Sequence, residues 1–317
     1  MLDVFKKIAY SFRSALRRGC RPAGENTVNI PEPVYVRDLF GGKVTIIVFG
    51  APFNWNYAGA SREEMEAKNP GITAALEEVM RKYNIRRALV PKPAFNAKVV
   101  TDVDLPNELL PTFFRGADAD GVILERSGDA YFLASADCVA VALFDPQTGI
   151  AAGLHCGRNA VIDRACLDSD GETRREHESV IHAAVQALDR IAFDLPEESL
   201  LTETFDIQAF LAAGIRPETF DHPTKDPKYG TANQRMVDHL LYLQLKRGHL
   251  PSIVTDEVAG KIDLFALVRH QLDSEDVTMI EEDEFDTATS KDADGKLIFH
   301  SNRRDPTERN LVVIMRN

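Results

Sequence analysis

The chain has 317 residues, 44% hydrophobic, 27% charged and 8% aromatic, a globular balance with enough apolar material for a sizeable core. Its formal net charge of −12 excludes the broad basic field that nucleic-acid binding requires. No apolar run approaches a membrane span, and four cysteines without framework spacing point to a reducing compartment, so a cytoplasmic location is expected.

At the start, Phe5, Ile8, Ala9, Phe12 and Leu16 recur at helical spacing. Lys6, Lys7, Arg13, Arg17, Arg18 and Arg21 stand among them against Asp3 alone. This predicts a basic amphipathic helix, and residues 1–18 could touch an anionic membrane or a partner. Packing on its own domain, or a frayed end, is the commoner fate of such a segment. Arg21 to Asn26 reads as a linker, so residues 1–30 are expected to be an extension and 31–317 one α/β domain.

Strand-like runs follow at Val34–Val36, Val44–Phe49, Ala88–Val90, Val99–Val103, Gly121–Leu124 and Ala130–Ala134. Between the second and third, Ser61 with Glu64 three residues later signals a capping box. Pro70 breaks that helix, and Gly71–Tyr83 restarts one with Ile72, Leu76, Val79 and Met80 on one face. Helices are expected again near Val180–Ile191, Asn233–Lys246 and Lys261–Leu272. The last strands fall near Val277–Ile280, Lys296–His300 and Leu311–Met315. Strands and helices interleave without a regular βαβ repeat, so a mixed α/β fold with a mixed sheet is predicted.

The chemistry concentrates in residues 134–158. An apolar run from Val139 to Phe144 follows Asp137-Cys138, Asp145 to Gly149 makes a turn, and a second run from Ile150 to Leu154 ends on His155. Two buried strands pairing antiparallel about that turn would bring the thiol and the imidazole to one edge. Such a pair can share a soft metal such as zinc, or the His can activate the Cys as a nucleophile. The alternatives are a small buried hydrophobe at Cys138 and a hydrogen-bonded strand-end histidine at His155. Cys156 is adjacent, but successive strand side chains point to opposite faces, which takes it away from the same metal.

Other motifs carry less. His177 and His182 are five apart rather than the four that one helix face requires, so His177-Glu178-Ser179-Val180-Ile181-His182 is no zincin. No glycine-rich nucleotide loop and no G-x-S-x-G occurs. Arg303-Arg304 could bind phosphate through planar donor forks, with a solvated or salt-bridged pair as the alternative.

The 134–158 segment resembles the signature of the laccase-domain family, also called multicopper polyphenol oxidoreductase-like. The resemblance continues through Ala119-Asp120-Gly121-Val122-Ile123 and through Ile262 to Ala266 with Arg269 and Gln271. It reaches Phe299 to Asp305 and Thr307 to Asn310. It implies a laccase-domain fold, similar to the cytotoxic necrotizing factor catalytic domain. It also implies a zinc-dependent purine nucleoside phosphorylase with adenosine deaminase activity, and so favours an enzyme. Cys138 and His155 would then be metal ligands and catalytic residues, and the partners would be a purine nucleoside and phosphate.

Three positions depart from the family pattern. Phe95, within Pro93 to Val99, stands where the first metal-ligating His is expected. His155-Cys156-Gly157-Arg158-Asn159 lacks the family's Trp, and Ala213 to Phe220 lacks its paired cysteines. Val161–Glu178 looks like a local insertion. Three readings therefore stand side by side: the zinc enzyme, a metal-free Cys-His hydrolase or deamidase, and a decayed paralogue that only binds.

Overall fold

The protein is described here by a computed structural model covering residues 30–95, 97–162, 179–196, 201, 206–247 and 252–317. The amphipathic segment and linker, Cys20, Cys166 and nearly all of the expected insertion lie outside the described residues.

Two large sheets face one another. The seven-stranded sheet runs in the order Tyr35–Leu39, Val44–Phe49, Asn310–Arg316, Asp129–Ser135, Arg87–Lys92, Phe113–Asp118, Asn107–Leu110. The six-stranded sheet runs Thr278–Glu282, Gln208–Ala212, Val139–Asp145, Ile150–Cys156, Gly121–Leu124, Val99–Val100. Both mix parallel and antiparallel pairs, so the fold is mixed α/β as expected.

Period-two alternation explains the layering. In Val44–Phe49, Ile46 and Val48 join the layer between the sheets, while Ile47 and Phe49 join the layer under helices Arg62–Lys68 and Ile72–Lys82. In Val139–Asp145, Ala140, Ala142 and Phe144 face the other sheet. Val139, Val141 and Leu143 face a helical layer that includes Val180–Asp194, Gly230–Arg247 and Leu264–Ser274. Strands covered on both faces read as unbroken apolar runs, which is why 139–144 was conspicuous in the sequence. Among the described residues no helix is long and apolar enough to cross a membrane.

The local signals behave as their chemistry requires. Ser61 accepts from the Glu64 amide at 3.3 Å, while the Glu64 carboxylate accepts from Ala60 N at 2.9 Å, one residue before the cap. Val99–Val103 shortens to Val99–Val100 because Thr101 and Asp104 form a capping box around a 3₁₀ turn, Asp102–Asp104. The helix expected from Lys261 starts at Leu264, where Asp263 caps it by accepting from Ala266 N at 2.8 Å. Lys261–Ile262 instead pairs with Val254–Asp256.

Lys296–His300 is not a strand; it makes one bridge, Lys291 to Leu297, and its Ile298 carbonyl accepts from Ala51 N. Besides Val254–Asp256 and Lys261–Ile262, three strands of the two large sheets escaped the sequence reading. Asn107–Leu110 is short. Phe113–Asp118 carries Arg and Gly at its centre, and Gln208–Ala212 suits a helix equally well by propensity.

Candidate active site

The register of two strands builds the site. Ile150–Cys156 pairs antiparallel with Val139–Asp145, setting His155 opposite Ala140 and Cys156 opposite Val139. The turn between them is held by Asp145, which accepts from Gln147 N at 2.9 Å and Thr148 Oγ1 at 2.6 Å, with Gly149 at φ 70°. One step past Cys156, Gly157 comes to lie against Cys138. A Cβ built on Gly157 would stand 2.8 Å from Cys138 Sγ and 3.4 Å from His155 Nε2. Glycine is required there because the thiol and the imidazole occupy the space a side chain would need. Cys156 turns to the helix-side core and is fully buried, as strand alternation demands.

A third strand completes the arrangement. Gly121–Leu124 pairs with the His155 strand, with Gly121 opposite Leu154, so Asp120 falls beside His155. The Asp120 carbonyl accepts from His155 N at 2.7 Å, and its carboxylate Oδ1 lies 2.8 Å from His155 Nδ1. Asp120 is 0% exposed and His155 4%. With Nδ1 directed at a carboxylate, Nε2 is left to face Cys138, and both the sulfur and Nε2 crowd the space beside Gly157. Burial alone would depress the imidazole. The electrostatic pull of the Cys138 side chain, with the hydrogen bond to Asp120, overcomes burial and pushes His155 up to about 10.

The Cys138 loop is tied down on both sides. Ser135 Oγ donates to the Cys138 carbonyl at 3.0 Å, Ile215 N to the Asp137 carbonyl at 2.8 Å, and Thr287 Oγ1 to the Asp137 carboxylate at 3.0 Å. These bonds hold the thiol in place without occupying it.

Cys138 and His155 open into a cavity of about 920 Å³. Asn56, Tyr57 and Arg115 form part of its wall, together with Arg158, His222, Tyr229, Asn302, Arg303 and Arg309. Phe95 also lines it, its ring 5.8 Å from the His155 ring and edge-on. The ring is 47% exposed, on a backbone at φ 53°. Phe95 stands at the mouth, because a left-handed backbone turns it away from the interior.

The two arginines singled out in the sequence separate. Arg303 lines the cavity and holds Asp221, donating to its carbonyl at 2.8 Å. Arg304 is not among the lining residues. Its guanidinium donates to the carbonyls of Ala288, Thr287 and Phe299, a role in fixing the chain rather than in meeting a ligand.

Zinc, which the resemblance implies, requires three protein donors in a catalytic site. Cys138 and His155 supply two, Phe95 offers a phenyl ring, and Cys156 is on the far face of its strand. Among the described residues no group of three or more His, Cys, Asp or Glu side chains could hold a metal. The donor set does not fit zinc.

The fold has counterparts among known proteins. The family described as multi-copper polyphenol oxidoreductase laccase matches residues 71–317. The chain belongs to that laccase family. Its fold is similar to that of Bacillus licheniformis hypothetical protein YfiH (16% identity, TM-score 0.58, covering 86% of this chain and 93% of that one). YlmD from Geobacillus stearothermophilus is similar too (18%, TM-score 0.57, 86% and 91%), as is Neisseria meningitidis protein NMB0706 (15%, TM-score 0.52, 91% and 97%). No curated protein is similar enough in sequence to match.

Four residues of this laccase-family site were not singled out in the sequence: Asp120 as the partner of His155, and the wall residues Arg115, His222 and Arg309. Asp120 had a signal, being a carboxylate immediately before an apolar strand. Arg115 and His222 had none, since an isolated Arg or His in an irregular stretch is indistinguishable from a surface residue. His222 is buried with an Nδ1 that has no hydrogen-bond partner. Burial, then the charges of Arg158 and Arg303, push its imidazole down to about 3.

Proposed function

We propose that this chain is a metal-independent enzyme in which Cys138 is the nucleophile, His155 the proton carrier and Asp120 the group that orients it. The observation that carries this reading is the arrangement of the Asp120 carboxylate on His155 Nδ1, with His155 Nε2 and the Cys138 sulfur together beside Gly157. The reaction class this suits is acyl transfer from a small-molecule amide or ester. The Cys138 thiolate attacks the carbonyl carbon, forming a C–S bond. The C–N or C–O bond then breaks, and the leaving group takes the proton held on His155 Nε2. Water loses a proton to His155, attacks the thioester and releases the acid and the thiol. Asn159 and Asn302 line the cavity, and their side-chain amides can donate to the developing oxyanion.

The experiment is to expose the purified chain to p-nitrophenyl acetate and to iodoacetamide and locate the adducts by mass spectrometry. An acetyl thioester on Cys138, and alkylation there faster than of a model thiol at neutral pH, are expected. If Cys138 takes up neither reagent faster than the model thiol, the nucleophile reading is lost.

Family membership supports a second reading, a purine nucleoside phosphorylase with adenosine deaminase activity. A cavity of this volume with Arg303 in its wall accommodates a nucleoside and phosphate. Inosine and adenosine turnover, with and without phosphate and with and without added zinc, tests it directly. Turnover that requires both phosphate and zinc would favour this reading over the first. A purely binding role predicts no turnover of either kind and no effect of Cys138→Ala on ligand affinity.

A further inference from the structure

We propose that Arg115 anchors an anion subsite in this cavity, made for an oxyanion (a phosphate monoester or a carboxylate) carried by the substrate. The inference rests on reading the cavity as a substrate site, and it is carried by Arg115 itself. This guanidinium is only 7% exposed and lines the cavity. Its Nη1 donates to the Tyr57 carbonyl at 3.2 Å and the Gly59 carbonyl at 2.7 Å, while its Nε is buried with no hydrogen-bond partner. Among the described residues no carboxylate pairs with it.

Three other partly buried arginines are treated differently. Arg87 is held by Asp129 and Asp102 at 2.5 and 2.6 Å, Arg269 by Glu282 at 2.6 Å, and Arg216 by the same Glu282 at 3.3 Å. A buried cation without a counter-ion is costly, and neutral carbonyls satisfy one of the three guanidinium nitrogens here. An oxyanion entering the cavity would supply the missing charge and take parallel donors from the planar fork.

The surroundings agree in sign. Arg158, Arg303 and Arg309 line the same cavity, where among the described residues the single lining carboxylate is Asp137, already accepting from Thr287 Oγ1 at 3.0 Å. A chain of net charge −12 has thus placed positive charge around its reactive cysteine. That arrangement draws in anions and lets anionic product compete for the site. Holding up the 57–59 segment would explain the two Nη1 bonds, and the Tyr57 ring lies 5.8 Å from the guanidinium carbon, but neither accounts for a buried Nε with no hydrogen-bond partner beside a cavity.

Calorimetric titration of inorganic phosphate, and separately of acetate, into the full chain tests the assignment. The parent, Arg115→Gln, Arg115→Lys and Cys138→Ala would be compared at constant ionic strength, with circular dichroism to confirm folding. At least one anion is expected to bind the parent with Kd below about 10 mM. Affinity should fall by about tenfold or more in Arg115→Gln and severalfold in Arg115→Lys, which keeps charge but loses the fork. Phosphate alone binding assigns a phosphate monoester; acetate alone binding assigns a carboxylate. If Arg115→Gln does not fold, the Arg115→Lys loss carries the test. Parent-like affinity in the folded variants, or no binding of either anion to the parent, overturns the proposal. Cys138→Ala should bind like the parent, so an unreactive Cys138 beside intact anion binding would defeat the nucleophile reading alone.

Discussion

His155 Nδ1 lies 2.8 Å from the Asp120 carboxylate, and the same two residues are joined again by the bond from His155 N to the Asp120 carbonyl. The double tie fixes both the position and the tautomer of the imidazole. It makes the opposite nitrogen, Nε2, the one that meets Cys138.

Asp120→Asn should therefore keep the backbone tie and lose the carboxylate. Acylation of Cys138 by p-nitrophenyl acetate is expected to slow by about 10²–10⁴-fold, with little change in melting temperature. The His155 titration, followed by NMR of a ring-labelled sample, should move down from about 10, because removing an anion disfavours the imidazolium. A parent-like titration in Asp120→Asn would show that the carboxylate does not act on the ring.

Gly157→Ala tests the close approach. Its new methyl would begin 2.8 Å from Cys138 Sγ, nearer than any relaxed contact, so the sulfur must rotate away from Nε2. Misplacing the nucleophile by about 1 Å costs about 10²-fold in rate. We expect that loss in stopped-flow acylation while circular dichroism stays parent-like. An unchanged rate would mean the Sγ position shown here is not the reacting one.

Phe95→His would place a third nitrogen donor beside the His155 ring, where the phenyl ring now lies 5.8 Å away. Elemental analysis of chelator-free preparations should show below about 0.1 equivalent of zinc in the parent and near one equivalent in the variant. If inosine turnover rises with the metal, the pocket has kept the family's chemistry. Zinc uptake without turnover would leave the metal-independent reading in place. No uptake would show that position 95 is not aligned for coordination.

His222 gives a pH dependence of stability with a definite sign. Its imidazole titrates near 3 in the folded chain and near 6.5 when unfolded, so the unfolded state binds an extra proton between those values. Stability is full above about pH 6.5 and falls as pH drops toward 3, by up to about 1.4 kcal/mol per pH unit from this group. Urea titrations at pH 7, 5 and 4 should show a shallower acid loss in His222→Gln than in the parent. Parallel curves would mean His222 is not held neutral.

Much of the fold was legible in the sequence, and the reasons are local. Val139 to Phe144 and Ile150 to Leu154 are unbroken apolar runs because both faces of those strands are covered, and Asp145 to Gly149 encodes its own turn. Ser61 and Glu64 mark a helix start because capping chemistry belongs to the residues themselves. Pairing of Cys138 with His155 followed from two strand lengths and one turn.

Tertiary structure alone decided the rest, because it depends on contacts distant in sequence. Asp120 meets His155 across 35 residues through a third strand. Arg115 loses its exposure only when the 57–59 segment covers it. The strand Phe113–Asp118 forms despite its central Arg and Gly because Arg87–Lys92 offers it a parallel edge. Arg303 and Arg304 are neighbours in sequence, yet one reaches the cavity and the other is spent on backbone carbonyls. Local pattern determines which segments become strands and helices; the order in which sheets assemble determines which side chains share a cavity, and no short-range property of the chain encodes that order.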